Sequence, residues 1–243
     1  QKYLSSFNAR DLEDNWWIAL NFVFGRTFMR GRSDRLSEKY FLFTSNSLNK
    51  YFNIDNSDLD YSYSLVRNNK NYFNINSILK FKKENNIKNC LSKNIFEKFY
   101  LQVGYKNPII KLLITTGDKS KNNDKKEIPL NNDLDLIMVL NLLNIISDPR
   151  KKNIYIYLKD KLGNLGVLSV YKELLKIIGI GDKLAAFVIR DIGLLNSGLI
   201  VNNYEKVFPI DTWVRKISKK IFKCNNDKEI IRFFIKQCGK ELD

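Results

Sequence analysis

Two charged side chains stand where helices are about to begin. Lys183 follows Gly179-Ile180-Gly181-Asp182, and 28 residues on Asp211 follows Phe208-Pro209-Ile210. Glycines at 179 and 181 allow positive φ and a close approach of the backbone to a ligand. The helix that follows offers unpaired N–H groups and the positive end of its dipole, a combination that suits a phosphate. A lysine at that end is anomalous, because the dipole disfavours a cation there by about 0.3–1 kcal/mol. The same field favours the neutral amine, which is a nucleophile. Asp211 suits either the capping of a helix started by Pro209 or the stabilisation of positive charge developing on a substrate. The plainer readings stay open beside these: an ordinary helix-to-helix turn with Asp182 as its N-cap, a Lys183 that only touches phosphate, and an Asp211 that only caps.

The elements that must hold these residues read as helices. Val167, Val170, Tyr171, Leu174, Leu175 and Ile178 form one apolar stripe before the glycines, and Ala185, Val188, Ile189 and Ile192 form another after them. Helix, tight glycine hairpin, helix is the expected local structure. Two more helices fit 209–222 and 227–242. Upstream, the pattern predicts helices over 11–28, from Ser33 as N-cap, and over 76–86, 92–104, 132–146 and 150–162. Residues 44–75, dense in Asn, Ser and Tyr, read as an irregular connection or short helices, and 115–129 as a mobile polar insertion. No stretch alternates with strand period for long enough to build a sheet, so the chain is expected to be all-α.

Composition narrows the chemistry. Lys and Arg exceed Asp and Glu by 41 to 26, a net charge of +15. A polyanion is the natural partner, nucleic acid ahead of an anionic membrane surface, although a lysine-rich surface can also reflect nucleotide bias. The chain has no histidine, which excludes Ser-His-Asp and Cys-His triads, HExxH zinc sites and any imidazole base. Cys90, Cys224 and Cys238 are too few and too far apart for a disulfide framework or a four-thiolate metal site. The absence of a long apolar run or a signal-like start points to an intracellular protein, in the cytoplasm and nucleoid or the nucleus.

The stretch LLKIIGIGDKLAA (174–186) resembles the helix-hairpin-helix motif. Together with FPIDTWVRK (208–216) it resembles the helix-hairpin-helix Gly/Pro-Asp superfamily of DNA glycosylases. Bifunctional members carry a lysine directly after the hairpin glycines and an aspartate in a Pro-[Val/Ile]-Asp segment beyond the next helix, matching Lys183 and Asp211. The resemblance covers residues 167–217. It departs from the iron-sulfur members, since Cys224 and Cys238 cannot build a cluster, and from eukaryotic-type 8-oxoguanine glycosylases, since about ten residues before the first helix cannot form their β-domain. The extra segment 196–207 also lengthens the gap between lysine and aspartate. What the resemblance implies is a cluster-free 8-oxoguanine DNA glycosylase/AP lyase, monomeric and acting on double-stranded DNA that carries a damaged base.

The resemblance implies two helical subdomains flanking a DNA-binding cleft. One would be formed by 1–28 and 196–243, the other by 29–195, ending in the motif at 167–195. Gly179, Ile180, Gly181 and Asp182 would grip DNA backbone. Lys183 would be the nucleophile, with Asp211 stabilising the sugar cation. Arg26, Arg30 and Arg32, after the first aromatic helix, are candidates to fill the vacated stack or meet the opposite base, and a solvated basic turn is the alternative. Trp213, Trp16, Trp17 and Phe187 are candidates for the base pocket, with core packing as the alternative. No cofactor or metal is expected, apart from a structural monovalent cation at the hairpin when DNA is bound. A non-enzymatic helix-hairpin-helix module and a glycosylase for another damaged base (an oxidised pyrimidine or alkylated purine) remain as other functions.

Overall fold

A computed structural model describes residues 6–29, 33–54, 58–88, 91–115, 129–196, 199, 208, 210 and 212–238. The described residues are all-α: helices joined by short turns and 3-10 segments, with no strand among them. Contacts divide the chain into two compact units, residues 1–157 with 177–179, and residues 158–176 with 180–243. Residues 1–28 therefore group with the first unit and 196–243 with the second.

In the first unit, α1 (Ala9–Asp14) and α2 (Trp16–Thr27) replace the single helix expected over 11–28. Asn15 is the reason. Its side chain accepts from the backbone N–H groups of Trp17 and Ile18, ending one helix and capping the next. The Ser33 cap is present, its hydroxyl accepting from Leu36 N, but α3 (Asp34–Tyr51) runs further than the pattern suggested. The Asn-rich stretch is also more helical than expected, with α4 (Leu59–Asn68) capped by Asp58 and a 3-10 turn at Lys70–Phe73. α5 (Asn76–Glu84) and α6 (Lys93–Gln102) lie close to their expected bounds. The sequence pattern gave no signal for α7 (Pro108–Ile114), which begins at the Asn107 cap with Pro108 in its first turn. Residues 116–128, most of the expected polar insertion, lie outside the described residues.

The core of this unit sits around α2 and α8 (Asp133–Ile146), both apolar on nearly every face and buried accordingly. Buried Asp133 at the start of α8 takes the Lys82 ammonium and the backbone N–H of Leu91, which ties α5 and the following loop to it. The Tyr63 hydroxyl donates to the Ile146 carbonyl at the other end of α8. α9 (Ile154–Leu165) starts at Asn153, whose amide also donates to the carbonyls of Leu12 and Glu13 at the end of α1. The boundary between the units falls within α9, after Tyr157.

The second unit holds α10 (Val167–Leu175), α11 (Asp182–Leu195), α12 (Thr212–Ile221) and α13 (Asp227–Cys238). Gly166, at φ 75°, turns α9 into α10 with no other linker residue. α10 packs on α11; Val167, Val170 and Leu174 are buried on the first helix and Leu184, Ala185, Val188, Ile189 and Ile192 on the second. The α10 stripe is narrower than its spacing implied. Leu175 and Ile178 are exposed, and Ile177 is buried in their place because the helix ends at Leu175 and the chain has begun to turn. Among the described residues no helix is long and apolar enough to cross a membrane.

Candidate functional site

The turn between α10 and α11 is built on its two glycines, for different reasons. Gly179 has φ 99°, a conformation that costs a side-chain-bearing residue strain. Gly181 has φ −97° and ψ −178°, which any residue adopts, and a Cβ built there would meet nothing within 4 Å. Neither backbone conformation nor internal packing requires glycine at 181. It is the N-cap of α11, and no side chain caps the helix. As N-cap, Gly181 supplies no side-chain oxygen to the first-turn N–H groups, and the space beside its Cα is open.

Asp182 is not the cap that one reading of the sequence gave it. It is the first helical residue, and its carboxylate accepts a 2.7 Å hydrogen bond from the Tyr171 hydroxyl across the hairpin. Burial, with the Asp182 carboxylate and its charge adding to it, pushes the Tyr171 phenol up to about 12. The phenol therefore remains a donor throughout the ordinary pH range. Ile180 is buried, so its side chain anchors the turn and only its backbone is available to a ligand.

Lys183 is half-buried in the first turn of α11, with its ammonium 5.6 Å from the centroid of the Phe187 ring. Arg190, a further turn along, places its guanidinium carbon 4.9 Å from the same centroid. Phe187 thus sits under two cations, a cation–π arrangement on one stripe of the helix. The Arg190 Nε and Nη2 both donate to Oδ1 of Asp191, at 3.1 and 2.9 Å, and Asp191 is fully buried. Sequence reading did not single out Tyr171, Arg190 or Asp191 as polar participants. The available signal was Asp191, a carboxylate lying in the apolar stripe between Val188 and Ile192.

The other candidates part company. Trp16 and Trp17 lie in the first unit's core at 2% and 8% exposure, and the Trp16 indole donates to the Leu59 carbonyl at 3.0 Å. Arg26 is also buried there, one guanidinium nitrogen 3.4 Å from the Met29 sulfur. Neither indole nor this guanidinium is presented to solvent. Trp213 is 69% exposed on α12, with the Lys216 ammonium 5.1 Å from its ring. Arg30, Arg32, Pro209 and Asp211 lie outside the described residues, as do Cys90 and most of 196–207. Among the described residues no group of three or more Cys, Asp or Glu could hold a metal ion. At the opposite end of α11 from Lys183, a cleft of about 510 Å³ is lined by Lys159, Asp160, Gly163, Asn164, Leu195, Asn196 and Leu199.

No family model matches the chain, and no solved structure matches it. Over 86 residues it is 31% identical to an uncharacterized protein of Methanocaldococcus jannaschii, MJECL21, a match covering 34% of this chain and 20% of that one. The chain thus spans about a fifth of the length of the curated relative it matches.

Proposed function

We propose that this chain is a DNA glycosylase/AP lyase that removes an oxidised base, 8-oxoguanine in first place, through a lysine Schiff base. The observation that carries the reading is the hairpin: Gly179 at positive φ, Gly181 with open space where a side chain would stand, an uncapped helix start, and Lys183 in the first turn. This is an arrangement suited to a backbone phosphate beside an amine. A base inside a duplex is out of reach, so the damaged nucleotide would be rotated out of the stack.

The neutral Lys183 amine then attacks C1′ of the deoxyribose, the C1′–N bond breaks, and the base leaves with the bonding pair and takes up a proton. The Asp211 carboxylate balances the positive charge that develops on the sugar. Loss of the amine proton and opening of the ring give the Schiff base. Removal of a C2′ proton expels the 3′ phosphate by β-elimination, and hydrolysis of the Schiff base returns the lysine.

Borohydride reduction tests this, because it converts the Schiff base into a stable protein–DNA bond. Wild-type protein on a duplex containing 8-oxoguanine should yield that adduct and a nick, and Lys183→Gln should yield neither while still binding. A wild-type protein without adduct on a panel of 8-oxoguanine, thymine glycol, uracil, 3-methyladenine and abasic duplexes would sink the lyase reading. A second reading has its own support: the Lys183 ammonium over the Phe187 ring is a seat that holds a charged lysine, as a phosphate-gripping, non-enzymatic hairpin would need. Binding without adduct on the whole panel is its signature.

A further inference from the structure

We infer that Arg190, oriented by Asp191, is a second phosphate-binding residue beside Lys183, contacting the phosphodiester of the same DNA strand. The inference rests on the nucleic-acid reading above but not on the lyase chemistry. Three observations carry it. Lys183, Phe187 and Arg190 fall at i, i+4 and i+7 of α11, so they lie on one stripe about 10 Å long. The Phe187 ring collects both cations, at 5.6 and 4.9 Å. Asp191 is fully buried, yet it takes two hydrogen bonds from Arg190 on a single oxygen.

A buried carboxylate carries a large desolvation penalty, and the stripe it occupies is otherwise Leu184, Ala185, Val188 and Ile192. An apolar residue would pack there without that cost. To Arg190 the carboxylate supplies orientation. With Nε and one hydrogen of Nη2 committed to Asp191, the guanidinium is locked edge-on. The Nη1 edge makes no hydrogen bond among the described residues, and the side chain is 37% exposed. A planar fork held on one edge by a carboxylate, on a part-exposed side chain with another cation one ring away, suits the two oxygens of a phosphodiester. Asp191 acts through Arg190 and is a positioning residue.

The test uses the full chain and a duplex carrying a tetrahydrofuran abasic analogue, which cannot react. Single phosphates around the analogue are replaced in turn by uncharged methylphosphonates. For the wild type, one replacement should weaken binding roughly tenfold, as loss of a hydrogen bond to a charged group does. Arg190→Ala should weaken binding to the unmodified duplex by the same factor and be indifferent to that one methylphosphonate. Arg190→Lys should recover part of the affinity.

Because Arg190→Ala leaves Asp191 buried without this partner, Arg190→Ala/Asp191→Asn is the companion variant. It should show the same indifference with its helical circular dichroism retained. If both variants keep the wild-type response to every methylphosphonate, or bind as tightly as wild type, the inference is wrong. An adduct-free wild type that still shows the coupling would remove the lyase reading and leave this one standing. A wild type with no affinity for the duplex would remove both.

Discussion

Gly181 separates fold from function more cleanly than any other position in the hairpin. Replacing it with alanine adds one methyl group where no protein atom lies within 4 Å, at φ −97° and ψ −178°. The fold feels two small opposing terms. Alanine is a poorer N-cap than glycine, by a few tenths to about 1 kcal/mol. It also narrows the unfolded ensemble, which stabilises by about 0.4–1 kcal/mol. The net should be within about 0.5 kcal/mol of zero, a Tm change of no more than about 2 °C at this chain length. A phosphate approaching the uncapped α11 terminus, by contrast, would meet the new methyl group. Losing one or two charge-assisted N–H contacts should weaken duplex binding roughly ten- to a hundredfold and make the salt slope shallower by about 0.9 for each phosphate lost. Gly179→Ala is the control of opposite character. At φ 99° it should cost about 1–2 kcal/mol of stability, so its Tm falls before binding is considered. Thermal melts and fluorescence anisotropy with a labelled duplex over a salt series measure both. A Gly181→Ala protein with wild-type affinity and wild-type slope would refute the phosphate reading of the hairpin.

Asp211→Asn keeps a capping side chain but removes the charge, so Tm should hold while base excision falls by about a hundredfold or more in a single-turnover assay; unchanged excision would reduce Asp211 to a cap. Tyr171→Phe removes the hydrogen bond to Asp182 and should cost about 1 kcal/mol near neutral pH. Because the folded-state phenol is raised to about 12 from 10, the wild type's advantage is complete below pH 10 and is lost as pH rises from 10 through 12. Urea titrations of wild type and variant at pH 8, 10 and 11.5 should therefore converge. Trp16→Phe removes the indole hydrogen bond to the part-buried Leu59 carbonyl and should cost about 0.5–1.5 kcal/mol, whereas Trp213→Phe should leave the melting temperature unchanged.

Helices with a single apolar face, such as α10 and α11, were legible in the sequence because burial on one side imposes the 3.6-residue period. α8 was legible by composition, being apolar all round. Boundaries that depend on one polar side chain were not. Asn15 looks like a mid-helix residue until its oxygen is seen on two backbone amides, and Asn107 starts a helix inside what reads as a loop. In 44–75 the Asn and Ser residues that suggest irregularity stand partly at caps and turns, with Asp58 capping α4 and Asn53 at φ 53°, so helices fit between them. For the site, the glycine–lysine spacing was legible and the clustering over Phe187 follows the i, i+4, i+7 spacing within α11, but the pairing of Tyr171 with Asp182 depends on how far α10 turns before α11 begins. Periodicity fixes residues on a face and says nothing of the angle between two faces. The tryptophans differ in sequence as they do in burial: Trp16 and Trp17 open the apolar run WWIALNFVF and are buried, whereas Trp213 stands in TWVRKISKK among cations and is exposed.

That separation gives the protein an optical label in each unit. Of the chain's three tryptophans, two are buried in the first unit and one stands exposed in the second, with the Lys216 ammonium beside its ring. Emission should be a composite of a blue component from Trp16 and Trp17 and a red component from Trp213. Iodide, drawn to the local positive charge, should quench the red component selectively and give a downward-curving Stern–Volmer plot. Loss of structure in the first unit then appears as a red shift of the blue component. Occupation of the second unit near α12 appears as protection of Trp213 from iodide. The two events can be followed in one cuvette with no dye attached.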